Sequence, residues 1–197
     1  MKKGLLIGGG ILVVLLILAF SAVGSYNGLV AMDEGVTQSW SQVENQYQRR
    51  ADLIPNLVNT VKGVAEFERG TFTAVTEARA KVSQMNVSSE ILNDPQKFQQ
   101  FQAAQDNLGS ALSRLLVTVE NYPQLKANEN FSQLQAQLEG TENRISVERK
   151  KFNQTIQVYN TKVRSFPTSL MAGMFGFGQK QYFAAQAGAE TAPNVEF

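Results

Sequence analysis

Three charged residues, Arg50, Glu68 and Glu148, fall at positions where the surrounding apolar pattern points inward. Carboxylates held in a protected place can act as general acids and bases. The same residues can instead lock a helix register, because a buried charge needs a partner. The pattern predicts Arg50 paired with an inward carboxylate from a later segment, such as Glu148. The rest of the composition argues against catalysis. The chain has no Cys and no His. That removes disulfides, thiolate and imidazole nucleophiles or bases, zinc fingers, His-based catalytic zinc and His- or Cys-ligated haem. The Gly8-Gly9-Gly10 run does not make a phosphate loop, since no strand precedes it and no Lys-Ser/Thr follows. No catalytic, cofactor-binding or metal-ligating residues are expected, and the chain reads as a non-enzyme.

Lys and Arg number 18 against 17 Asp and Glu, a formal charge of +1. A near-neutral chain without a basic stripe has no electrostatic footprint for nucleic acid. The clusters Arg49-Arg50-Ala51-Asp52 and Glu142, Arg144, Glu148, Arg149, Lys150 read as solvated helix faces, as does the Glu77–Lys81 pair. Asn-x-Ser/Thr matches at Asn86, Asn130 and Asn153 read as chance.

The elements that must position these side chains begin with an apolar segment. No charge occurs between Lys3 and Asp33, and the strongly apolar part runs from Leu5 to Val23. A helix of that length rises about 28 Å, close to the hydrocarbon thickness of a bilayer. An uncleaved single-pass anchor is expected. The alternative is a signal peptide cut after the small residues Ala19 and Ser21, but the apolar stretch exceeds a usual leader core. No Cys is present to carry a lipid. Lys2 and Lys3 on one side, with Asp33 and Glu34 on the other, put the N-terminus in the cytoplasm and the bulk outside.

Three amphipathic arms follow. The first stripe is Val36, Trp40, Val43, Tyr47, Ile54, Leu57, Val61, Val64, Val75, Ala78 and Val82, with Pro55 inside it. Read as one continuous helix, this arm is about 70 Å long, bent near Ile54 but not broken. Asn93-Asp94-Pro95 is a helix start. The second stripe runs Phe98, Phe101, Gln105, Leu108, Leu112, Leu115, Val119, Tyr122 and ends at Pro123. The third runs Phe131, Leu134, Leu138, Thr141, Ile145, Glu148, Phe152, Ile156, Tyr159, Val163, Phe166 and ends at Pro167. The +3 and +4 steps mark helix faces, and short links imply antiparallel neighbours. No period-two pattern occurs. The predicted fold is all-α: an N-terminal transmembrane helix over 1–28, an antiparallel three- to four-helix bundle of up-down topology over 29–166, and an apolar segment with an Ala/Gln/Gly-rich tail over 167–197. Trp40 and Tyr47 read as core.

Ser165 to Gln179 carries no charge. Leaving Leu170, Met171, Met174, Phe175 and Phe177 all in water is unfavourable, at about 1.5–3 kcal/mol per side chain. These five are candidate contacts to the bundle end, to a neighbouring subunit or to the membrane interface. The tail beyond them reads as poorly ordered.

The order of these parts, with several specific segments, resembles the LemA family of bacterial membrane-anchored helical proteins. The segments are Tyr26-Asn27-Gly28-Leu29-Val30; Arg49-Arg50-Ala51-Asp52-Leu53-Ile54-Pro55-Asn56-Leu57-Val58; Glu120-Asn121-Tyr122-Pro123; Leu138-Glu139-Gly140-Thr141-Glu142-Asn143-Arg144-Ile145; Tyr159-Asn160; and Phe166-Pro167 through Phe175-Gly176-Phe177. The resemblance implies a single-span protein with a helical bundle and no established enzymatic activity. It also implies a small outside N-terminus, opposite to the charge argument. Expected partners are the lipid bilayer, a second copy of the chain and another membrane protein, with no nucleic acid. The expected role is a self-associating scaffold at the bacterial cell (inner) membrane, or alternatively an adaptor for a membrane protease or signalling partner. The body is extracytoplasmic by charge and cytoplasmic in the alternative.

Overall fold

A computed structural model describes residues 2–63, 69–85 and 88–184. Among them every regular element is helical: α1 (Lys2–Lys62), α2 (Arg69–Ser83), a 3₁₀ turn (Ser89–Asn93), α3 (Pro95–Val119), α4 (Pro123–Lys126), α5 (Glu129–Arg164) and α6 (Thr168–Phe175).

α1 contains 61 residues, roughly 90 Å of continuous helix. Its first part, from Leu6 to Val23, exposes Leu6, Ile11, Leu16, Phe20 and Val23 and is apolar and long enough to cross a membrane. From Leu29 onward the same helix buries a stripe: Leu29, Val36, Trp40, Val43, Tyr47, Ile54, Leu57 and Val61. Pro55 lies inside the helix without ending it. Proline has no N–H for the carbonyl four residues earlier, which is that of Ala51. Arg79 Nε from α2 donates to that oxygen at 3.0 Å, so a side chain supplies the missing bond.

The expected single arm over 36–82 is divided. α1 ends at Lys62, and Gly63 N–H donates to Asn59 O at 3.3 Å in the closing turn. α2 then packs against α1 and α3. An apolar period records which residues face a core; it does not record where the chain reverses. Gly63 and Gly70 carried the reversal signal, since glycine disfavours helix interiors.

α3 starts as its sequence dictates. The Asp94 carboxylate accepts from Gln96 N–H at 3.0 Å and Lys97 N–H at 3.1 Å, with Pro95 in the first turn. The backbone hydrogen bond from Lys97, with that from Gln96, holds the Asp94 carboxyl below its ordinary pKa. Phe98, Phe101, Gln105, Leu108, Leu112, Leu115 and Val119 are all buried. In α5 the buried line is Phe131, Leu138, Thr141, Ile145, Phe152, Ile156, Tyr159 and Val163. Phe166, the expected last member, is 81% exposed because the helix has already ended at Arg164.

α1 and α5 pack along their lengths, and each step forward in one is a step back in the other. Asp33 interacts with Tyr159, the Trp40 ring packs at a tilt against Phe152, and Arg50 bonds Glu142. This register puts Arg164 level with Gly28, and α6 at the end where α1 leaves the body. The core has an aromatic half around Trp40, Phe98, Phe101 and Phe152 and an aliphatic half around Ile54, Leu57, Leu115 and Leu138.

Candidate functional site

Arg50 is 3% exposed, on the inner stripe of α1. Its Nη1 donates to Glu142 Oε1 at 2.7 Å, and its Nη2 donates to the side-chain and backbone oxygens of Gln105, the latter at 3.3 Å. One guanidinium thereby ties α1 to both α3 and α5. Its partner carboxylate is Glu142, not Glu148. In the α1–α5 register Glu148 lies six residues, about 9 Å, further along α5. Glu148 pairs with Lys151 at 2.7 Å. Glu142, grouped by sequence with solvated charges, is 45% exposed while bonding the buried cation. Glu68 lies outside the described residues.

Tyr47 sits beside Arg50, with the guanidinium 5.2 Å from its ring centre. Its hydroxyl is buried without a hydrogen-bond partner among the described residues. Burial pushes its pKa up to about 12, against the opposing effect of the Arg149 and Arg50 charges. The phenol is buried, and the guanidinium is engaged three ways within the chain. Among the described residues no group of three or more acidic side chains is placed to hold a metal.

A second polar centre was not expected. Beyond α6 the chain through Ala184 lies in an extended course against α1, α3 and α5, so this part of the tail is docked. Side-chain amides hold it in pairs of reciprocal bonds. Asn160 donates to Lys180 O and accepts from Lys180 N–H, both at 2.9 Å. Asn153 does the same for Phe183, at 3.0 and 2.9 Å. Gln102 does so for Ala184, at 3.1 and 3.3 Å. Phe183 enters the aromatic core, 5.0 Å from Phe98 and 5.4 Å from Phe152 between ring centres. Lys180 is buried, with Nζ 2.9 Å from both Asp33 Oδ1 and Asn93 Oδ1. Burial, with the Asp33 charge and hydrogen bond, raises the Tyr159 hydroxyl to about 12. The available sequence signal was Lys180 itself, a lone cation between uncharged flanks and followed closely by two aromatics.

The third feature is α6. Its inner side buries Thr168 and Ala172, and Met171 is half-buried. Gly176 closes it in the left-handed region at φ 78, which favours glycine. Phe177 packs against the core. Leu170, Met174 and Phe175 are exposed at 61%, 76% and 52%. Tyr26 of α1 meets Phe175 edge-on at 4.8 Å and Phe177 at 5.8 Å. The five candidate contacts therefore divide, with Phe177 facing inward, Met171 at the border and three outward.

The model of the LemA family matches residues 39–197. The chain belongs to the LemA family. The match spans the Arg50 centre, α6 and the docked tail. Magnetosome protein MamQ 2 of Paramagnetospirillum magneticum is 26% identical over 196 residues, covering 90% of this chain and 72% of that protein. MamQ of Magnetospirillum gryphiswaldense is 26% identical, covering 84% and 67%. Protein LemA of Metamycoplasma hominis is 24% identical, covering 78% and 66%. The specific LemA-like segments bear the polar centres, with Arg50 in one, Glu142 in another and Asn160 in a third.

Proposed function

We propose that this LemA-family chain is a non-enzymatic, single-pass protein of the bacterial cell membrane whose helical body acts as a self-associating scaffold. In this reading residues 1–28 are the anchor, 29–166 an antiparallel three- to four-helix bundle of up-down topology, and 167–197 an accessory apolar segment and tail. The observation that carries it is the continuity of α1, which passes without interruption from an exposed apolar stretch into the buried core. Such a helix holds the body at a set height and tilt relative to the bilayer. Gly8, Gly9 and Gly10 are small residues that let spanning helices approach closely, and a repeated contact of that kind builds a symmetric assembly. The buried cations Arg50 and Lys180 are both engaged within the chain, which supports a structural use of its charges. The Lys2 and Lys3 flank supports an extracytoplasmic body. Relatives named as magnetosome proteins support a place in a larger bacterial structure.

The adaptor reading draws on a groove of 760 Å³ between α3 and α5, lined by Leu112, Leu116, Leu138 and Glu142 among others. Crosslinking in intact membranes separates the two. Self-crosslinks support the scaffold, and a single foreign protein with no self-crosslink overturns it in favour of the adaptor.

A further inference from the structure

We infer that α6 is an interfacial helix whose outer face lies in the anionic headgroup layer of the bilayer that α1 enters. The inference rests on the membrane-anchor reading above and adds a second, separate lipid contact. Leu170 and Met174, four residues apart, share the outward face of α6, with Phe175 beside them and Phe166 just before the helix, each at least half exposed. Thr168 and Ala172 take the inward side. The usual arrangement is inverted, since the large apolar groups face out and the small ones face in. An exposed apolar cluster of this kind marks a binding surface.

Position identifies the occupant. The exposed apolar part of α1 ends at Val23, and Tyr26, one turn later, packs edge-on against Phe175. That turn is about 4.5 Å of rise, so α6 stands level with the exit of the span, where aromatic side chains favour the membrane interface. The α1–α5 register agrees, because Arg164 is level with Gly28 and α6 follows it towards the membrane. The outer face of α6 is thus continuous with the lipid-facing surface of α1. Charge adds the headgroup type. Lys162 and Arg164 occupy the last turn of α5 immediately before Phe166, and neither forms an ion pair among the described residues. The nearby Asp33 carboxylate is already engaged by Lys180. Two free cations beside an uncharged aromatic cluster fit a layer of anionic headgroups above acyl chains.

The test uses the natural absence of cysteine. Single variants Met174→Cys, Leu16→Cys and Val117→Cys of the full chain carry an environment-sensitive fluorophore. They are reconstituted in phosphatidylcholine vesicles with or without phosphatidylglycerol, containing lipids with a nitroxide near the headgroup or deep in the chain. The label at Met174 is expected to shift to the blue and to lose intensity mainly to the shallow nitroxide, as at a depth of about 5–10 Å. Leu16 should be quenched by the deep one, and Val117, at the far end of the body, by neither. Quenching at Leu16 without quenching at Met174 overturns the interfacial helix and leaves the anchor standing. A blue shift at Met174 without lipid quenching overturns it in favour of a second copy covering the patch. No quenching at Leu16 overturns the anchor itself. Lys162→Gln with Arg164→Gln should remove the dependence on phosphatidylglycerol, and unchanged dependence refutes the role of those cations.

Discussion

Replacing Arg79 by Met tests how α1 carries a proline through its middle. Pro55 leaves Ala51 O without an intrahelical donor, and Arg79 Nε fills the vacancy at 3.0 Å. Methionine keeps most of the stem and deletes only the donor. A hydrogen bond from a charged donor contributes about 1.5–3 kcal/mol when dry. Both Ala51 and Arg79 are half-buried, and water can take over part of the bond, so the expected loss is about 1–1.5 kcal/mol. In a Pro55→Ala background the residue 55 N–H can bond Ala51 O directly. Arg79→Met should then cost about 1 kcal/mol less, beyond the roughly 0.3–0.5 kcal/mol error of additivity. The assay is denaturant unfolding of the full chain in mild detergent, followed by fluorescence of the sole tryptophan, buried Trp40. Equal cost in both backgrounds would refute the replacement bond.

Other outcomes follow from the same geometry. Tyr47→Phe deletes a buried hydroxyl that has no partner among the described residues and should gain about 1 kcal/mol at neutral pH. The Tyr47 pKa is raised from 10.0 to about 12, so its titration leaves stability unchanged below pH 10 and lowers it as pH rises towards 12, because the unfolded chain ionises first. The variant should lose less stability over that window, measured by alkaline unfolding with tyrosinate absorbance. Glu142→Gln should cost about 1–2 kcal/mol, discounted because its side chain is 45% exposed. Arg50→Met combined with Gln105→Leu should recover stability relative to Arg50→Met alone, since the buried Gln105 amide is then no longer left without its Arg50 partner, as denaturation midpoints would report. Phe183→Ala should destabilise by up to about 3 kcal/mol and open trypsin cleavage after Lys180, which is buried and ion-paired in the native chain.

The stripes from Val36 to Val61, Phe98 to Val119 and Phe131 to Val163 were legible because an amphipathic period is a direct record of burial. The inward direction of Arg50 was legible for the same reason. Its partner was not, because choosing Glu142 over Glu148 depends on the α1–α5 register, which the helix period alone does not set. The reversal after Lys62 escaped because α2 resumes a buried pattern at Val75 and Val82, and a stripe in phase on both sides of Gly63 imitates one long helix. The docked tail escaped for a different reason. It is held through main-chain atoms of Lys180, Phe183 and Ala184 by Asn160, Asn153 and Gln102, and main-chain bonds leave no periodic trace in residue types. Asn153, set aside as a chance glycosylation match, was one of those anchors.

The scaffold reading turns on whether the anchored chain assembles with itself. The mass of the protein extracted in a gentle detergent, followed over a dilution series by light scattering with the detergent contribution subtracted, tests this most directly. A defined multiple of one chain that persists on dilution is predicted. A single-chain mass at every concentration would contradict the account.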